Sequence, residues 1–214
     1  MTEAGWLTCT DPQRLLDCVR GQATERKLRL FACACARRFW ALLPDPRSRR
    51  VVELTERYVD GQATETDLRS AAWDARAAWA ARFAGTREAD TAEVAADLAW
   101  RGARASAMVV AIGWAFNAAG GPGHPFKDPE FQCQVLRDLF LPFDSAQVEP
   151  AWSTPTVQAL ARTVYEDQQV SLLPVLGDAL EEAGCTEEHW LNHCRQADLH
   201  ARGCWLVDAL LVRA

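Results

Sequence analysis

The chain has 214 residues, 49% of them hydrophobic and 24% charged, with a formal net charge of −6 at pH 7. That is the balance of a globular protein long enough to bury a sizeable core, and its acidity argues against a general binder of phosphate backbones. No stretch approaches the roughly 18 uninterrupted apolar residues of a membrane span, and Met1-TEAGWLTCTDP lacks the basic start and apolar run of a secretory leader, so the expected location is the cytoplasm.

Strand signals are nearly absent, and the expected fold is all-α: a compact bundle of about ten helices, read from caps and stops. Asp11-Pro12 sets an acceptor before a φ-locked proline and opens a helix over 12–20. Thr24 opens the next, over 25–43, with Leu28, Phe31, Cys35, Phe39 and Leu42 as its core stripe. Asp45-Pro46 opens 46–60, and Thr64 opens 65–84. A long helix over 90–118 follows, with Trp100, Ala107, Val110 and Trp114 on one face and Gly102 and Gly113 for close approach of a neighbour. Asp128-Pro129 and Thr154-Pro155 open 129–140 and 155–167, ahead of helices over 172–183, 187–195 and 202–212. Gly21, Gly61, Gly85, Gly120 and Gly184 stand where helices should stop in a left-handed residue. Nine tryptophans should anchor contacts between these helices.

An internal echo marks the N-terminal part. Val19-RGQATERKL-Arg29 returns as Val59-DGQATETDL-Arg69, with eight identities in eleven positions. Each copy ends a helix at glycine, turns, and restarts at a threonine cap, which predicts a duplicated helical hairpin over about 12–43 and 46–84. The expected organisation is one structural domain with an N-terminal helical half over 1–119 and a C-terminal half over 129–214. The Gly/Pro loop 120–128 between them has neither the Lys-Ser/Thr ending nor the preceding strand of a P-loop.

Charge is unevenly spread. Residues 1–60 hold 11 Lys/Arg and 8 Asp/Glu, a net of +3, while the remainder nets −9. The basic residues Arg26, Lys27, Arg29, Arg37, Arg38, Arg47, Arg49 and Arg50 open a nucleic-acid reading, but pairing with the chain's own acids explains the same split and is the expectation. The aromatic series Trp73, Trp79, Phe83 and Trp100 reads as core rather than as a base-stacking platform.

Chemistry-bearing residues gather near the C-terminus, where Cys185, His189, His193, Cys194, His200 and Cys204 comprise three of eight cysteines and three of four histidines. In a reducing cytoplasm these thiols fill the core, bind metal or react, rather than form a disulfide framework. His189 and His193 share a helix face, as do His200 and Cys204, so two such pairs are candidate tetrahedral zinc ligands, with Cys185 or Cys194 as substitutes. Against this, no CxxC knuckle is present, and His193 and Cys194 diverge by about a hundred degrees on a helix. The first expectation is that the cysteines are small buried hydrophobes and the histidines satisfied hydrogen-bonders. Zinc binding is the alternative. A reactive thiol is the third reading, with Cys204 as nucleophile, His200 beside it and Asp208 one turn on to orient a histidine. Cys33-Ala-Cys35 reads as packing, and Glu181-Glu182 and Glu187-Glu188 as a solvated acidic face.

The segments Met1-TEAGWL with Asp11-Pro12, Arg26-KLRLFACACARRFW, Arg47-SRRVVELTERYVDG, Leu136-RDLFLPF, Leu173-PVLGDALEEAGC, His193-Cys194-Arg195 and His200-ARGCWLVDALL resemble a paralogue-rich family of bacterial helical proteins with no assigned activity. The resemblance implies a helical intracellular protein. It implies a shared motif at Cys185, His193, Cys194, His200 and Cys204, without His189, and a divergent middle near 70–125. Together these readings favour a non-catalytic interaction or regulatory module with a protein partner, ahead of a zinc-binding or thiol-dependent domain and of nucleic-acid binding.

Overall fold

The structure, a computed structural model, describes residues 1–80, 128–143, 147–196 and 199–213. All regular structure among them is helical: α1 Glu3–Thr8, α2 Pro12–Val19, α3 Glu25–Arg38, α4 Pro46–Val59, α5 Glu65–Ala80, α6 Pro129–Leu139, α7 Pro155–Glu166, α8 Leu173–Glu182, α9 Glu188–Arg195 and α10 Trp205–Leu210. No helix among the described residues is long and apolar enough to cross a membrane. The expected helix over 90–118, the glycine stops at 85 and 120 and nearly all of the loop 120–128 lie outside the described residues.

The caps expected from sequence are in place. Asp11, Thr24, Asp45, Asp128 and Thr154 each accept a backbone N–H of the first helical turn. Thr64 and Asp67 bond reciprocally, the Thr64 hydroxyl accepting from the Asp67 N–H and the Asp67 carboxylate from the Thr64 N–H. Three differences have local causes. The helix α1 was not expected, because its six residues carry little periodicity. The helix expected over 25–43 ends at Arg38, where Phe39 N–H tightens onto Ala36 O and a 3-10 turn Trp40–Leu42 leads into Pro44. Gly21 is not left-handed, unlike Gly61 with its φ of 71°; Val19 O instead accepts from both Gln22 and Ala23, which keeps that turn right-handed.

Chain packing divides the protein into two units, Met1–Leu7 with Gln134–Ala214, and Thr8–Cys133. In the second of these, α4 packs on both α3 and α5. Leu15, Phe31, Val51, Val52, Leu68 and Ala75 are buried there, and Cys33 is buried with its thiol toward Val52 O. Burial pushes the Cys35 thiol up to about 12 and the Cys33 thiol well above its ordinary value, so both are inert packing groups. Of the basic residues, Arg37 makes two 2.6 Å bonds to Glu56, Arg38 pairs with Asp128, Arg47 with Asp45, Arg29 with Glu25 and Arg26 with Asp60. Trp40 lies beneath both Arg37 and Arg49, at 4.9 and 5.4 Å. The two sequence echoes share the threonine cap and an i,i+4 Glu–Arg pair, Glu25–Arg29 and Glu65–Arg69. Trp73, expected in the core, is 65% exposed.

The other unit has a core built from α7, α8, α9 and α10, with Leu173, Leu176, Leu180 and Leu206 fully buried. Trp152, at the end of the connector from Leu141, is buried and meets Trp190 edge-on at 5.5 Å. Gly184 closes α8 in a left-handed turn, with Cys185 N–H on Leu180 O and Gly184 N–H on Glu181 O. The last helix, expected over 202–212, is shorter. Gly203, at φ 85°, turns the chain before it, and Val212 occupies the left-handed position after it at φ 53°. A β-branched residue there costs roughly 1–2 kcal/mol, and Val212 is 92% exposed, so nothing is gained by burying it. Val212→Gly is therefore expected to raise stability by about 1 kcal/mol after the entropy of glycine is subtracted. Urea unfolding checks this; an unchanged or lower midpoint rejects it.

Candidate metal centre

Four side chains from three parts of the C-terminal unit converge: Asp138 on α6, His193 on α9, and His200 and Cys204 on the loop entering α10. One donor atom from each lies within 4.8 Å of all the others. The local causes are separable. Asp138 is set on the buried face of α6 among Val135, Leu139 and Phe140. His193 falls in the last turn of α9, rotated away from Cys194, which points into the core beside Gly177. The 199–204 loop is held by Ala201 N–H, which donates to Asp138 Oδ2 at 2.8 Å. It is held again by Arg202, stacked 4.5 Å above the Tyr165 ring, and by the Cys204 N–H bond to Ala201 O that tightens the turn at Gly203.

The distances define the chemistry. His193 Nε2 lies 3.1 Å from Cys204 Sγ and 3.4 Å from Asp138 Oδ1, and His200 Nδ1 lies 2.8 Å from the same Oδ1. Donors 2.0–2.3 Å from a tetrahedral zinc ion sit about 3.3–3.6 Å from one another, so the two His193 separations are close to those of a ligand shell, and the wider pairs, within 4.8 Å, would close up around an ion. The 2.8 Å contact lacks hydrogen-bond alignment: Asp138 Oδ1 and both ring nitrogens of His200 are buried with no hydrogen-bond partner among the described residues. Buried carboxylate and imidazole groups are ordinarily satisfied, and a cation at their common focus would satisfy Asp138 Oδ1 and one ring nitrogen of His200 together.

Electrostatics suit the same role. Burial lowers the His193 pKa to about 4, against the opposing pull of Asp138 and with a further lowering from His200 and His189. The ring is therefore neutral at pH 7 and its lone pair is available to a metal. Side-chain exposure is 17% for His193 and about 4% or less for Asp138 and His200, so bulk water competes weakly. The Trp205 ring lies 4.9 Å from His193 and packs edge-on to Trp190 at 5.2 Å, which walls one side with apolar surface.

Of the six C-terminal residues singled out by sequence, the structure brings His193, His200 and Cys204 together. His189 stands apart, stacked on Trp205 at 5.9 Å with its Nδ1 3.7 Å from Glu187. Cys185 and Cys194 belong to the hydrophobic core, and burial raises both thiols, Cys194 to about 12. Asp208 is buried on α10 but is not one of the four donors. Glu181 bonds Arg195. Asp138 was missed. Its signal was a carboxylate three residues after Val135 and two before Phe140, on the apolar stripe of QVLRDLF, where a solvated acid has no reason to be. Compared with protein-family models, curated proteins and solved structures, the chain matches none.

Proposed function

We propose that the C-terminal unit is a zinc-binding helical domain, with one Zn²⁺ held by Asp138, His193, His200 and Cys204 as a structural ion. The observation that carries this reading is that a single nitrogen, His193 Nε2, faces both Cys204 Sγ and Asp138 Oδ1. A thiol–imidazole–carboxylate relay needs the thiol on one ring nitrogen and the carboxylate on the other, so that a proton can pass through the ring. Both partners on one nitrogen is the arrangement of donors around a shared ion. Four protein donors also complete a tetrahedral shell, which is the mark of structural rather than catalytic zinc. The mixed donor set, with two imidazoles and one thiolate, suits zinc or cobalt and disfavours magnesium and calcium. The ion would fasten a loop with no regular structure to two helices, supplying metal–ligand bonds where Asp138 Oδ1 and a His200 ring nitrogen lack hydrogen bonds.

Elemental analysis of protein purified without a metal-affinity tag tests this. One zinc per chain is expected, falling below about a tenth of that in Cys204→Ser or His200→Ala, because loss of one of four ligands in a closed site removes most of the affinity. Cys33→Ser, which alters a thiol in the unit that holds none of the four donors, should stay fully loaded. A wild-type chain that retains no zinc, and takes up none on refolding with it, ends the proposal.

A further inference from the structure

Resting on the zinc reading, we infer that Asp138 is the residue that determines which charge of ion the site accepts, acting through its negative charge and not only as an oxygen donor. Two of the four donors are anionic when coordinated, the Asp138 carboxylate and the Cys204 thiolate, and the two imidazoles are neutral. With a divalent ion the complex sums to zero. A monovalent ion leaves one negative charge and a trivalent ion one positive charge, in a pocket whose Asp138 and His200 side chains are 3% and 4% exposed. Uncompensated charge in such surroundings is strongly disfavoured, so neutrality is itself a selectivity filter.

The geometry separates the charge of Asp138 from its freedom to rearrange. Oδ2 is engaged by Ala201 N–H at 2.8 Å, which leaves Oδ1 as the one oxygen facing His193 and His200. The carboxylate is thus held to single-oxygen coordination, and the shell closes at four donors with no position for an outside anion. Removing the charge while keeping the shape should therefore do two things. It should weaken divalent binding, and it should make the complex cationic and receptive to an added anion.

Three purified proteins decide this, each loaded with Zn²⁺ for affinity and with Co²⁺ for spectra. Asp138→Asn keeps the side-chain outline and an oxygen donor; its zinc affinity should fall about 100-fold or more. Asp138→Cys restores one negative charge in a different donor, and should recover affinity to within about tenfold of wild type. Sodium azide should leave the visible spectrum of the wild-type Co²⁺ form unchanged and alter that of the Asp138→Asn form. Asparagine binding within tenfold of wild type overturns the inference, as does a cysteine variant as weak as the asparagine one. A wild-type Co²⁺ spectrum that shifts with azide also overturns it, and that measurement needs no variant to fold. Failure of the wild-type chain to bind either ion is a different result, seen before any variant is made, and it sinks the zinc reading together with this one.

Discussion

On the zinc proposal, stripping the ion with a strong chelator is expected to lower the melting temperature of the Met1–Leu7/Gln134–Ala214 unit by roughly 20 °C. A ligand present at about 1,000 times its dissociation constant stabilises the folded state by about 4 kcal/mol, and for a unit of fewer than about 100 residues each kcal/mol is worth about 4–8 °C. The structural reason lies in what the ion would leave behind. Asp138 Oδ1 and the His200 nitrogen facing it, Nδ1, are buried without hydrogen bonds among the described residues, and each such group costs on the order of 1–3 kcal/mol when nothing satisfies it. The readout is built in. Trp205 lies 4.9 Å from His193 and 5.2 Å from Trp190, so near-ultraviolet dichroism should change on chelation and return on adding zinc. Hydrogen exchange at Val51 and Val52, on α4 in the unit that holds none of the four donors, supplies the internal reference and should not move. Equal loss of protection there, or no change in melting, contradicts the expectation.

Gly177→Ala is expected to destabilise the same unit by about 1–2 kcal/mol, although alanine is the better helix former by about 1 kcal/mol. A Cβ built on Gly177 lies 2.8 Å from Cys194 Cβ and 3.7 Å from its Sγ. Neither Cβ can rotate away, because both are fixed to helical backbone. Helices α8 and α9 must separate, at the 1–3 kcal/mol typical of overpacking. The atom in conflict sharpens the test. Cys194→Ala keeps the Cβ and should not rescue Gly177→Ala, whereas Cys194→Gly should, with a favourable coupling of about 1 kcal/mol or more in a double-mutant cycle. Because His193 precedes Cys194 on α9, the displaced helix also carries one of the proposed ligands, and on that proposal zinc affinity should fall with stability. Gly177→Ala with wild-type stability and full zinc loading would show that the two helices can part without consequence.

Much of the helical framework was legible because its signals act over four residues or fewer. Asp11, Asp45, Asp128 and Thr154 cap their helices whatever surrounds them, since acceptor, proline and unpaired N–H groups are neighbours in the chain. The same locality explains why His193, His200 and Cys204 could be read as a cluster: one short segment carries all three. Where a feature depends on distant packing, the sequence was silent or misleading. The identical run Gly-Gln-Ala-Thr gives a right-handed turn at Gly21 and a left-handed one at Gly61. The echoed words therefore did not by themselves choose the turn.

Chain order by itself determined an all-helical protein, the places where most of its helices begin, and a C-terminal run rich in soft donors. Only the tertiary structure decided that Asp138 completes that run, that His189, Cys185 and Cys194 stand outside it, and that Gly177 must lack a side chain. The physical reason is the same in each case. A cap is satisfied by bonds to adjacent residues, but a ligand shell and a helix crossing are satisfied by whichever atoms folding brings within a few ångströms, and linear spacing does not encode those distances.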